Sequence, residues 1–223
     1  MELTAAEPRR KHLTQLYLDG EPGPKIDAEV FLLSRLKPGD ELGEEELRAL
    51  VEESDARRAR EKALYLLEHR SHSKRELTEK VARTAASREA AQAAADRLEE
   101  LGLLNDRAFA ESYARELIQR KRYGLRRVRQ ELARKGIPRD MAEEVLAPYG
   151  EEDSAGENIR LVLSKRYALW REDEKVRRRA VAALQRLGYS YEQVRLWAGW
   201  IRNKGEAGRQ SGFFFVRMGK SLG

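Results

Sequence analysis

The helix stops in this chain recur at a fixed interval, and that recurrence limits the folds open to it. LARKGIPRDMAEEVLA (132–147) and LQRLGYSYEQVRLWAG (184–199) both read as a helix end, a glycine, an apolar residue and a new helix. Gly136 and Gly188 stand 52 positions apart, and a comparable break near Ala85 lies 51 positions before Gly136. A period of this length belongs to repeat architectures, in which a small supersecondary unit buries its apolar face against the next. Three tandem three-helix units are expected, at 57–104, 105–150 and 157–202. The predicted class is all-α, the units forming an elongated curved array behind a small lead-in at 1–56. The Gly-rich residues 203–223 are expected to be a disordered tail.

Local signals agree with this division. Ser73 and Glu76 have capping-box spacing, as do Ser190 and Gln193. Ser87 opens a helix, Asn105 suits an N-cap with Asp106 favouring the helix dipole, and Pro138 fits a first helical turn. The lead-in differs. LTQLYLDG (13–20) reads as a strand closing on an Asp-Gly turn, EPGPKID as a possible partner strand, and AEVFLLSRL (28–36) as a short helix. A short β-hairpin is therefore the expectation for the N-terminal segment. FFFV (213–216) reads either as a docking element or as an accidental hydrophobic run.

Composition narrows the function. No run approaches the ~18 apolar residues of a membrane span, and MELTAAEPRRKH lacks a signal-peptide apolar region, so a cytoplasmic protein is expected. The absence of cysteine removes disulfides, thiolate metal sites and thiol nucleophiles together. His69 and His72 read as two surface histidines at a helix end, without further metal ligands nearby, and His12 stands alone. There is no phosphate-binding Gly-Lys loop, nucleophile elbow or dinucleotide fingerprint. No catalytic residue, metal or cofactor is expected.

Charge carries the functional signal. The net charge is +6, but residues 1–60 sum to −4 and residues 157–223 to +9. QRKRYGLRRVRQELARKG (119–136) holds eight Lys or Arg against the single acid Glu131. On the helix that begins at Leu125, the stripe Leu125, Val128 and Leu132 faces inward, which puts Arg126, Arg127, Gln130 and Arg134 on the exposed side. Arg120, Lys121, Arg122 and Tyr123 precede it, and Arg129 lies within it. The third unit repeats the theme with Lys165 and Arg166, then Lys175, Arg177, Arg178 and Arg179. Such basic faces with aromatic edges suit phosphate contacts or an acidic groove on a protein partner, and they also suit a merely solvated helix face. Reversing Arg126, Arg127 and Arg134 to Glu is expected to leave the fold intact.

LEELGLLNDRAFAESYARELIQRKRYGLRRVRQELARKGI (98–137) resembles the RecX family of bacterial regulators of the RecA recombinase. The resemblance rests on Gly102, Leu104-Asn105-Asp106, Phe109-Ala110, Tyr113, Gly124, Leu132 and Lys135-Gly136-Ile137. ALYLLEHRSHSKRELTEKV (63–81) is similar to the family's opening helix pair, and RRRAVAALQRLGYSYEQV to its last repeat. His72 stands where the family more often has arginine. The resemblance implies tandem three-helix repeats and a non-enzymatic protein, and a monomer is expected. It also implies binding in the groove of the RecA–DNA filament, slowing its extension, ATPase and strand exchange. The alternative reading is a stand-alone, sequence-nonspecific DNA-binding module. Against base readout, RDMAEEVLA places acids where a recognition helix would meet phosphates.

Overall fold

A computed structural model of the chain describes residues 1–150 and 152–197. The expected disorder of 203–223, the FFFV run and the end of the third unit lie outside the described residues. The described part divides into two compact units, residues 1–112 with 132–141 and residues 113–131 with 142 onward.

The first unit opens with an antiparallel three-stranded sheet, β1 (Leu3–Arg9), β2 (Leu13–Leu18) and β3 (Glu21–Asp27), in the order β1-β2-β3. The hairpin expected at 13–27 is present, and β1 is an additional strand that the sequence reading missed. Proline explains both results. Pro8 lies on one edge strand and Pro22 and Pro24 on the other, where a missing amide costs no central ladder bond. The central strand LTQLYL contains none. At the β2–β3 turn Asp19 and Gly20 both take positive φ, as a tight hairpin of this hand requires. Leu3, Leu16, Ile26, Val30 and Leu42 form the small core beneath the sheet.

α1 (Ala28–Ser34) is capped by the Asp27 carboxylate, which accepts from the amides of Glu29 and Val30. α2 (Glu44–His69) follows and runs unbroken through position 56, so the lead-in and the first three-helix group share one helix. α3 (Lys74–Val81) and α4 (Arg88–Glu100) start on Ser73 and Ser87, whose hydroxyls accept from the amides of Glu76 and Ala90. Small residues dominate the α2–α4 core: Ala59, Ala63, Ala91, Ala94 and Ala95 surround Leu77, Val81 and Leu98. Alanine methyls let the helices approach closely, and α2 indeed packs on α4.

The rest of the chain is helical: α5 (Asp106–Gln119), α6 (Leu125–Arg134), α7 (Arg139–Leu146), α8 (Glu152–Arg166), α9 (Glu174–Arg186) and α10 (Tyr191–Trp197). Asn105 caps α5 through the amide of Ala108 at 2.9 Å. Ser190 and Gln193 form the expected reciprocal box at 3.0 and 3.1 Å. Gly136 and Gly188, the periodic stops, both take positive φ. In three successive groups of three helices, α2–α4, α5–α7 and α8–α10, the third helix follows this kind of break, near Ala85, at Gly136 and at Gly188.

Candidate anion-binding surface

The basic residues divide into those with partners and those without, and the division does not follow the sequence clusters. In the second unit, Arg122 is structural. It sits at positive φ and is half-buried; its Nη1 donates to Asn158 Oδ1 at 2.7 Å, and its carbonyl accepts from the Tyr189 hydroxyl at 3.0 Å. Burial pushes the Tyr189 phenol well above its ordinary pKa, so it remains a donor. Asn158 in turn donates to the Ile118 carbonyl. Arg122 thus ties the turn between α5 and α6 to α8.

Arg127 is a correction to the sequence reading. Its side chain is only 35% exposed; the guanidinium lies 4.6 Å from the Tyr123 ring centroid and donates to the Arg186 carbonyl at 2.9 Å. Two glycines create this packing. A Cβ on Gly124 would stand 2.5 Å from the backbone of Gly188, and a Cβ on Gly188 would stand 2.6 Å from the Arg127 backbone. The Gly124 amide donates to the Leu187 carbonyl at 2.8 Å across this approach. Here periodicity misplaces Arg127 because helix α6 is closed by a turn on that side rather than by solvent.

Arg129 is held as a fork by Glu143, with bonds of 2.8 and 3.0 Å. Lys121 stands 3.8 Å from Glu116. The run Arg177-Arg178-Arg179 points three ways. Arg177 turns back to the carbonyls of Trp170 and Arg171, locking the loop before α9, and Arg178 pairs with Glu174. Arg179 faces a cleft. Arg134 is exposed on the last turn of α6.

Arg120, Arg126, Lys165, Arg166, Lys175, Arg179 and Arg186 are all exposed, and no described carboxylate lies within ion-pair distance of any of them. Three of the seven line one open cleft of about 580 Å³: Arg166, Arg179 and Arg186, with Tyr167, Leu169, Val176 and Ala182 as its apolar wall. No acid lines it. Arg186 was missed in the sequence because it stands alone at the end of α9, outside any basic run. Its only sequence signal is spacing: Arg179 and Arg186 are seven residues apart, two turns along the same helix face.

The first unit contrasts with this. Glu76 accepts from Arg70 and Lys135 and lies 3.5 Å from Lys80. Burial opposes its ionisation, yet the two hydrogen bonds and their charges prevail and hold the carboxyl down to about 2. His72 is buried, at 2% exposure, which corrects the reading of two surface histidines. Its Nδ1 lies 2.9 Å from the Arg70 carbonyl and its Nε2 3.0 Å from Lys80 Nζ. Burial, then the neighbouring Arg70 charge, lowers its pKa, so a neutral ring accepting from Lys80 fits the site. Lys74 is shared by Asp96 and Glu99, and Arg57 by Asp27, Glu29 and Glu61. Among the described residues no three His, Asp or Glu side chains are grouped to hold a metal ion, and no helix is long and apolar enough to cross a membrane.

Fold and surface together define a helical-repeat protein with a small sheet at its front, whose distinguishing chemistry is uncompensated positive charge. The family model for the second three-helix domain of RecX matches residues 105–146. The Regulatory protein RecX of Prosthecochloris aestuarii is 34% identical over 145 residues, 65% of this chain and 94% of that relative. That of Clostridioides difficile is 25% identical over 189 residues, 84% and 88% of the two chains. The chain belongs to the RecX family of regulatory proteins. Two crystal structures share its fold, each at 22% identity. One, a regulatory protein RecX, gives a TM-score of 0.64 over 88% of this chain and 98% of its own. The other, RecX from Lactobacillus salivarius, gives 0.58 over 66% and 96%.

Proposed function

We propose that this chain is a non-enzymatic regulator that binds the filament of RecA recombinase on single-stranded DNA. Binding limits the filament's extension, ATP hydrolysis and strand exchange, within recombinational repair and the SOS response. In this reading it acts as a cytoplasmic monomer without a cofactor. Membership of the RecX family supports the assignment, and the observation that carries it on this chain is the set of uncompensated cations on α5–α6 and α8–α9. A nucleoprotein filament offers both phosphates and acidic side chains to such a set.

The same cations support a second reading, a stand-alone DNA-binding module without sequence preference. The two differ in stoichiometry. ATP hydrolysis by the cognate RecA on single-stranded DNA, titrated with this protein, separates them. Inhibition at a few per cent of the recombinase concentration, with weak binding to DNA alone at the same salt, is the expected result. Inhibition that begins only once the DNA is saturated would favour the second reading.

A further inference from the structure

We propose that the cleft of Arg166, Arg179 and Arg186 is a phosphodiester site that takes two phosphates of one nucleic-acid strand. The proposal rests on the filament reading for its biological setting but stands on the cleft's own chemistry. Each guanidinium offers a planar fork of donors that matches a phosphate. All three lack a described acid, so no internal ion pair must break before an anion binds.

Spacing along the helix suits a chain of anions. Seven helical residues separate Arg179 from Arg186, a Cα rise of about 10 Å, so the two guanidiniums are placed to reach different phosphates of one strand. Successive charges along one strand reach both. Arg166, at the end of α8, lines the same cleft. The composition of the wall favours nucleic acid over an acidic peptide. Tyr167 and the half-open Leu169, 56% exposed, give flat and apolar surface beside the guanidiniums, where bases can stack.

The cleft is also built in advance. The segment between α8 and α9 is anchored by Trp170, buried to 8% exposure. Arg177 clamps the Trp170 and Arg171 carbonyls, and Asp173 caps α9 by accepting from the amides of Lys175 and Val176. Arg177 serves as the clamp, which leaves Arg179 as the member of the arginine run that faces the cleft. Binding therefore orders few groups beyond three side chains, which keeps its entropic cost low.

The test uses the full chain with labelled oligothymidine, followed by fluorescence anisotropy across a salt series. Arg179→Gln/Arg186→Gln is expected to weaken binding about tenfold and to reduce the slope of log K against log salt by about 1.4, the value for two lost phosphate contacts on a single strand. Arg179→Lys/Arg186→Lys should restore most of the slope, because it returns the charge, and both variants should melt as the parent does. Inorganic phosphate is expected to compete poorly. An unchanged slope in the folded Gln variant would overturn the proposal. So would oligoglutamate of equal charge competing as well as oligothymidine, which would make the cleft a protein-docking site. The assay contains no recombinase, so its failure removes the cleft's role while the ATPase titration still judges the filament reading.

Discussion

A cluster of cations in the first compact unit and a cluster in the second are held in opposite ways. In the first, several cations are gathered onto carboxylates: Arg57 on three of them, Lys74 on two, and Arg70, Lys80 and Lys135 around Glu76. In the second, Arg166, Arg179 and Arg186 share one cleft that no acid lines. The lesson is that a count of basic residues does not locate a binding surface. Paired guanidiniums have already met their anion inside the molecule, and exchanging that partner for an external one gains little. What remains after internal pairing is the surface available to a polyanion.

The largest expected effect comes where the second unit's backbone closes on itself. Gly124→Ala drives a methyl group into the Gly188 backbone, where no flexible side chain can yield. A loss of about 3 kcal/mol is expected in chemical denaturation. A loss below about 1 kcal/mol would show that the approach between these two glycines is not what fixes Arg127 and the cleft wall.

The first unit can be broken by acid. Glu76 has a folded pKa of about 2 against an ordinary 4.5, so its contribution is present above about pH 4.5 and is lost as pH falls toward 2. His72 acts earlier. Its folded pKa is depressed below 6.5, so protonation favours unfolding as pH drops below that value. Stability should therefore decline in two stages on acidification. Glu76→Gln should remove the lower stage, worth about 2 kcal/mol after allowance for solvent screening, and His72→Gln the upper one. Urea midpoints measured from pH 7 to pH 3 check both.

A sharper comparison lies inside α6. Arg127→Ala should cost about 1 kcal/mol of stability, because it removes a stacked guanidinium and the bond to the Arg186 carbonyl. Arg126→Ala, one residue away, should stay within about 0.5 kcal/mol. A small effect is expected at Arg129 as well. Arg129→Gln should change stability by less than about 1 kcal/mol, since its pair with Glu143 is solvent-exposed. Thermal melts of the three variants rank them directly.

Much of the fold was legible in the sequence, for physical reasons that individual residues make plain. The capping serines, Asn105, Gly136 and Gly188 act locally, so spacing alone reveals them. β1 was hidden because an edge strand tolerates Pro8 and needs only one buried face, which leaves little alternation to read. The site was legible only as composition. QRKRYGLRRVRQELARKG does carry the positive charge, yet its members divide by partners that lie far away in sequence: Asn158 for Arg122, Arg186 for Arg127, Glu143 for Arg129. Helical periodicity sees one element at a time and cannot assign such partners. Burial of His72 escaped for the same reason, since Lys80 and Arg70 enclose it only once the helices are packed.

The central claim is that unpartnered cations, rather than net charge, carry anion binding. The most direct measurement compares two triple variants with the same loss of charge, Arg166→Gln/Arg179→Gln/Arg186→Gln and Lys121→Gln/Arg129→Gln/Arg178→Gln. Each is titrated against the cognate RecA filament on single-stranded DNA, with ATPase half-inhibition as the readout. The first variant should need about tenfold or more additional protein, and the second should remain within about threefold of the parent. Equal losses in the two would mean that total charge alone governs binding, and the distinction between paired and unpaired arginines would fall.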